Sequence, residues 1–332
     1  MTAVDGAFNA FDESLNLSPT EREKAQTRHN DIREELVKAG LVKGSFLQGS
    51  FARKTMLRPL KDVDIVCLFA EAHRVDLTAP GGPARAMMMM QEVVAKRWRS
   101  ATFDEGKEPA AKALCVGFPE FAFTFDLVPA LDTESKLVQI GDRELDEWID
   151  SRTRWLNELI SERNVETGGL FVHQVRMGKT LKHDHADLEF LDGLLIESLA
   201  YDSVYVKVRH PTALVALVEH GASSVVGPVY DPTREGDLTA KWSAAERARA
   251  VQKFTELAKF AREAVSLEGD DEDAALENWH AVFPEGIAAP EPRTPTDVMK
   301  SWMVGSMTST TRPTVSTAGA VAVNPGRSHG TP

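Results

Sequence analysis

Two aspartates, Asp62 and Asp64, stand one residue apart inside the apolar run DVDIVCLF. In an extended chain such a pair projects from one face while Val63 and Ile65 point to the other. Aspartate is disfavoured in strands, and a carboxylate beside a buried face is costly unless a cation compensates its charge. A hard, oxygen-only pair suits Mg²⁺, which takes one or two carboxylates together with substrate phosphates. A third acid, Asp126, lies in FPEFAFTFDLVPAL, where alternation puts Phe121, Phe123 and Phe125 on one face and Ala122, Thr124 and Asp126 on the other. With that strand beside the first, three carboxylates can hold two metals about 3.5–4 Å apart, activating an attacking hydroxyl and stabilising the leaving oxygen of an in-line displacement. The chemistry implied is nucleotidyl transfer, with Asp62, Asp64 and Asp126 as metal ligands and catalytic groups.

Such a reaction needs a seat for a triphosphate. Just ahead of the acids, Gly49 allows close backbone approach to a phosphate, Ser50 offers a hydroxyl, and the short helix expected there turns its positive end toward an anion. Gln48 either touches substrate beside this turn or ends the preceding strand. Arg53, Lys54, Arg58 and Lys61 make the stretch locally basic, as a solvated helix face also would.

Local signals place the elements that carry these residues. Ser18-Pro19-Thr20-Glu21 has the order of a capping box with proline at the first helical position, which predicts a helix to about Lys38, stopped by Gly40. Strands are expected at Leu41–Gln48, Val63–Phe69 and residues 118–131, and a short helix from Phe51 to Leu57. Met87, Met90, Val94 and Trp98 recur at helical spacing, so the MMMM run reads as core packing. Beyond residue 143 the pattern reads as helical: a stripe of Leu145, Trp148, Ile149, Leu156 and Leu159, helices at 169–182 and 187–201, one from Pro211 ending at Gly221, and a long one capped by Ser243 and Glu246. His183-Asp184-His185 reads as an exposed turn and Asp270-Asp271-Glu272-Asp273 as a solvated loop. The expected organisation is a mixed α/β catalytic domain over residues 1–165, a helical domain over 166–287, and a flexible Ala/Pro/Thr/Ser/Gly tail over 288–332, with the active site in the cleft between the domains.

Composition narrows the function classes. The 332 residues carry a formal net charge of -12, which argues against a general nucleic-acid-coating surface. Two cysteines, Cys67 and Cys115, give neither a disulfide framework nor zinc-site spacing, which suits a reducing cytoplasm. The N-terminal stretch lacks a basic region followed by an apolar core, and no apolar run reaches bilayer length, so secretion and membrane insertion are disfavoured.

Gly-Ser, about a dozen residues, Asp-hydrophobic-Asp and a later lone Asp resemble the polymerase-β-like nucleotidyltransferases. Within them, GSFARKTMLRPLKDVDIV resembles the bacterial CD-NTases, relatives of cyclic GMP-AMP synthase and oligoadenylate synthase. VRMGKTLK is similar to a family helix whose lysine reaches the donor triphosphate, which implies that role for Lys179. YDPT before the capped helix and NWHAVFPEG near residue 285 fit the same family, so the likeness spans about residues 15–286. Asp192-Gly193 stands where many relatives have a triphosphate-binding serine.

The resemblance implies an enzyme that uses Mg²⁺, with Mn²⁺ as an alternative, to join ATP and other nucleoside triphosphates into a cyclic di- or oligonucleotide second messenger. Such enzymes serve anti-phage CBASS operons, where the product switches on a downstream effector. The tail then implies a CBASS accessory protein as partner, and DNA activation is not expected. Two rival readings stay open. One is a transferase that makes linear oligonucleotides or modifies an RNA, protein or small-molecule acceptor; the other is a catalytically idle nucleotide-binding scaffold.

Overall fold

Thr2 caps a helix that the sequence reading lacks, α1 (Ala3–Leu15): its hydroxyl accepts from the Asp5 N–H at 3.0 Å, and the Asp5 carboxylate accepts from the Thr2 N–H at 3.2 Å. Ser18 and Glu21 make the expected reciprocal pair at the start of α2 (Pro19–Lys38), and Gly40, at φ 69°, follows its end. The computed structural model describes residues 2–105, 109–133 and 136–291. The expected tail therefore lies, from residue 292 onward, outside the described residues.

A mixed seven-stranded sheet follows, built from β1 (Val42–Leu47), β2 (Asp62–Phe69), β3 (Thr102–Phe103), β4 (Leu114–Gly117), β5 (Thr124–Asp132), β6 (Val138–Asp142) and β7 (Glu147–Ser151). Helices α3 (Gly49–Arg53), α4 (Arg74–Leu77) and α5 (Gly82–Arg97) connect the early strands. The order is β1-β2-β5-β4-β3, with β6 continuing along β5 beyond β4 and β7 paired to β6. β2 and β5 are parallel; every other strand pair is antiparallel. One face of the sheet buries Val63, Ile65, Cys67, Phe125 and Leu127 against α2 and α5, including the methionines Met87 and Met90. The opposite face buries a smaller set, Val66, Leu68, Val128, Ala130, Val138 and Ile140.

Two segments differ from their sequence reading. The strand expected from Phe118 begins only at Thr124. Phe121 and Phe123 lie ahead of it in an aromatic group whose Phe118 and Phe121 rings stand 4.4 and 5.3 Å from the Arg28 guanidinium. The expected helical stripe at Leu145–Ile149 is instead the turn and second strand of the β6–β7 hairpin. Asp142 closes that turn by accepting from the Glu144 and Leu145 N–H groups, and Trp148 Nε1 donates to the Leu77 carbonyl at 2.7 Å.

The remainder is helical: α6 (Thr153–Glu166), α7 (Phe171–Asp184), α8 (Gly193–Ser203), α9 (His210–Ser224), α10 (Ala244–Leu267) and α11 (Glu272–Val282). Asp271, read as part of a solvated loop, caps α11 by accepting from the Ala274 N–H. α9 runs through Gly221 rather than ending there. Added to Gly221, a Cβ would lie 2.7 Å from the Phe254 ring, so this glycine serves close packing of α9 on α10. The helical core contains Phe171, Leu199, Phe254, Trp279 and Phe283, and α1 joins it, with the Phe8 and Trp279 ring centroids 4.8 Å apart. Val4, Phe8 and Phe11 thus pack with the C-terminal half, although they fall within the 1–165 segment. Through Ala289 the chain forms one compact unit.

Candidate active site

The parallel pairing of β2 with β5 aligns Asp64 with Asp126 and Asp62 with Thr124. All three acids lie on the face opposite Val63, Ile65 and Phe125, and all are half-buried. Burial, followed by the charges of Asp62 and Asp126, pushes the Asp64 carboxyl up to about 6, with Arg53 pulling the other way. A cation opposite these acids would relieve that cost. The donor set, carboxylate oxygens on two neighbouring strands, fits Mg²⁺ or Mn²⁺. Among the described residues, no three His, Cys, Asp or Glu side chains are already gathered into a metal-holding group. Backbone register brings the three acids to one face of the sheet.

Gln48, Gly49 and Ser50 come next to this trio. The Gln48 N–H donates to the Asp64 carbonyl at 3.0 Å, fixing the end of β1 against β2. Gly49 begins α3 at φ 68°, and a Cβ there would lie 1.9 Å from Asp64 Oδ2. The close approach that glycine permits is therefore first to the strand carboxylate, whereas the sequence reading assigned it to a phosphate. Ser50 borders a cavity of about 460 Å³ whose lining also includes Thr55, Arg58, Lys61, Asp62, Lys179, Lys182, His183 and Gly193. Four lysine or arginine side chains and one carboxylate line it, a charge balance that favours an anion. Burial and the neighbouring Lys61 and Lys182 hold the His183 imidazole below its usual pKa.

Lys179 reaches this cavity, but its ammonium faces Glu197. The two are 2.6 Å apart, and both are buried. Glu197 also accepts from Arg53 Nε at 2.6 Å and from the Thr55 hydroxyl at 2.6 Å. Although burial alone would raise it, the Lys179 and Arg53 charges draw the Glu197 carboxyl down to about 2. Sequence reasoning missed this knot. Its signal was a lone glutamate in the apolar run GLLIESLA, which a buried helix tolerates only with a partner. Asp192 caps α8 by accepting from the Leu194 N–H at 2.8 Å, and Gly193 leaves the neighbouring space to the Lys179 side chain. His185, just past the end of α7, donates from Nε2 to the Val282 carbonyl of α11 at 2.9 Å.

Residues 1–164 match the Second Messenger Oligonucleotide or Dinucleotide Synthetase domain. Residues 1–164 thus carry a nucleotidyltransferase domain of the second-messenger synthetase type. Solved CD-NTase structures share the fold over most of both chains. CdnC of E. coli MS115-1, determined with ATP and in complex with HORMA-deltaN, aligns at TM-scores of 0.67 and 0.66 and 14% identity, covering 85% of this chain and 98 and 97% of that one. CdnG of Bradyrhizobium diazoefficiens, in complex with GTP, gives 0.65 at 12% identity over 83% of this chain and 95% of CdnG. The Vibrio cholerae DncV cyclic AMP-GMP synthase gives 0.57 at 16% identity over 86% of this chain and 85% of DncV. No curated protein matches the sequence. Among the described residues no helix is long and apolar enough to cross a membrane.

Proposed function

We propose that this chain is a CD-NTase that joins nucleoside triphosphates into a cyclic di- or oligonucleotide second messenger. The observation that carries the reading is the alignment of Asp62, Asp64 and Asp126 on one sheet face beside a cavity rich in cations. Asp62, Asp64 and Asp126 hold Mg²⁺, or Mn²⁺ in its place, which supplies charge neutralisation at the reacting phosphate and a more acidic attacking hydroxyl. The cavity cations hold the triphosphate, and Gln48, Gly49, Ser50 and Lys179 border it. A hydroxyl oxygen of one nucleotide forms a bond to the α-phosphorus of another. The bond to the β-phosphate breaks, pyrophosphate leaves with its electron pair, and the hydroxyl proton passes to solvent or a carboxylate of the trio. A second such step closes a ring of two nucleotides. Residues 1–165 act as the catalytic part and 166–287 as the helical part of this site.

The biological role proposed is CBASS anti-phage defence in the cytoplasm, with the product acting on a separate effector. The complex of CdnC with HORMA-deltaN supports an accessory-protein partner here too, for which the 288–332 tail is the candidate contact. The test is incubation of the full-length protein with labelled ribonucleoside triphosphates and Mg²⁺ or Mn²⁺. A phosphatase-resistant product with the mass of a cyclic oligonucleotide, absent from an Asp62→Ala, Asp64→Ala double variant, supports the reading. Linear product, or label carried on added RNA or protein, overturns it in favour of another acceptor. Nucleotide binding without any product marks a scaffold.

A further inference from the structure

One peptide group just ahead of the acids is held from both sides. β1 is an edge strand of the sheet and ends at Leu47. The peptide that joins Leu47 to Gln48 sends its N–H to the Asp64 carbonyl on β2 at 3.0 Å. Its own carbonyl, that of Leu47, accepts from Asn157 Nδ2 on α6 at 3.1 Å. Asn157 lies three residues beyond Arg154, on the same side of the helix, and Arg154 stacks over the Phe46 ring of β1 at 4.9 Å and pairs with Asp132 Oδ1 of β5 at 2.9 Å. Gly49 follows the held peptide directly, at φ 68°, and the Ser50 carbonyl accepts from the Thr55 N–H at 2.9 Å. Asn157 adds little to folding. Its Oδ1 is buried and accepts from no described residue, and a buried acceptor left without a donor costs at least what one hydrogen bond from the same amide returns. What the side chain does supply is a fixed place for the Leu47 carbonyl.

We propose that Asn157 is a positioning residue for nucleotidyl transfer, which through the Leu47 carbonyl fixes Gly49 and Ser50 relative to the acids of β2. The reaction's identity rests on the nucleotidyl-transfer reading above. With both of its polar groups tied, the peptide plane cannot rotate. Released at the carbonyl, it turns on the remaining bond to Asp64, and the two residues that follow swing with it. In-line displacement tolerates little of this, because a misplacement of about 1 Å at the reacting phosphate costs on the order of a hundredfold in rate. Asn157 acts through the backbone, touching no reacting atom.

The test joins three measurements on the full-length protein: steady-state release of pyrophosphate from ribonucleoside triphosphates with Mg²⁺, thermal melting, and amide hydrogen exchange over residues 48–55. Asn157→Leu exchanges one unpaired acceptor for another, so Tm moves by less than about 2 °C. Its kcat falls by about tenfold to a hundredfold, while KM changes less than about threefold. Exchange over 48–55 speeds up by about tenfold, and exchange over 62–69 stays as it was. Asn157→Asp, nearest in shape but without the donor, gives the same result and serves if the leucine variant does not fold. Asn157→His, whose Nδ1 can carry a donor at the place of the amide nitrogen, recovers most of kcat. The proposal is overturned if both variants without the donor keep the wild-type kcat, if kcat falls only in step with Tm, if KM rises while kcat holds, or if the histidine variant is no better than the leucine one. A wild type that releases no pyrophosphate removes the reaction reading. Faster exchange over 48–55 in Asn157→Leu then leaves the tether on the turn standing, and unchanged exchange overturns that too.

Discussion

A carbon added to Gly49 would sit 1.9 Å from Oδ2 of Asp64, so the turn residue and the strand acid share a space that admits only hydrogen. Gly49 also has φ 68°, a conformation unfavourable for other residues. Gly49→Ala should therefore cost on the order of 1–3 kcal/mol of stability and push the Asp64 carboxylate aside. Urea unfolding of Gly49→Ala, Asp64→Ala and the double variant checks the relation. The double variant should be more stable than the sum of the single effects allows, since the clash loses its second partner. Additive effects would show that the two positions are independent.

The acid trio leads to a metal prediction. Divalent Mg²⁺ or Mn²⁺ should raise Tm of the wild-type protein, because Asp64 is strained by burial and by its two acidic neighbours. Asp126→Asn should lose most of that rise and lower nucleotidyl transfer by about a hundredfold or more, with its circular dichroism unchanged. Thermal scans with the metal and after chelation measure the first effect. An Asp126→Asn protein that keeps the full metal-dependent rise would remove Asp126 from the ligand set.

A pH effect is expected far from this site. His29 is buried between Gln26 and Ser45, with its ring nitrogens 3.2 Å from the side chain of each. Burial, followed by the Arg33 charge, brings its pKa down from 6.5 to about 4. The folded state thus prefers the neutral ring. Its contribution is complete above pH 6.5 and is lost as pH falls toward 4, at up to about 1.4 kcal/mol per pH unit. His29→Gln should flatten the stability profile over that window, as read by denaturant midpoints at pH 7, 6, 5 and 4. An unchanged slope would exclude His29 as its source.

Packing at the α9–α10 contact gives a prediction of the opposite kind. Gly221 faces the Phe254 ring, where a Cβ would meet ring carbon at 2.7 Å. Gly221→Ala should destabilise by about 1–3 kcal/mol through overpacking, despite alanine's better helix propensity. Pairing it with Phe254→Leu should return part of the loss. If Gly221→Ala raises Tm, the contact is looser than the structure shows.

The carboxylates and their strands were legible because their signal is local: alternation fixes side-chain direction, and an acid in an apolar strand is conspicuous. The Ser18 and Ser243 caps were legible for the same reason, since both partners of a capping box lie within three residues. Thr2 and Asp5 carry the same signal in a weaker form, with aspartate in the place of glutamate. Other features depend on distant partners. Leu145, Trp148 and Ile149 recur at helical spacing, yet Glu147–Ser151 pairs with Val138–Asp142, and the intervening turn is made by aspartate in place of glycine or proline. Gly221 looks like a helix stop until Phe254 is set against it. Lys179 looks like a solvated lysine until Glu197, on the next helix, is seen to hold it.

The parallel pairing of β2 with β5 also bears on how such a chain can change over time. What aligns Asp64 with Asp126 is residue counting along two short stretches, 62–68 and 124–130, and nothing in the long intervening chain enters that count. Loss of one residue within either stretch would turn the acids toward Phe125 and its apolar neighbours. Length changes between the stretches leave the alignment untouched. Drift is free to rewrite the connecting loops so long as those two short rulers keep their marks.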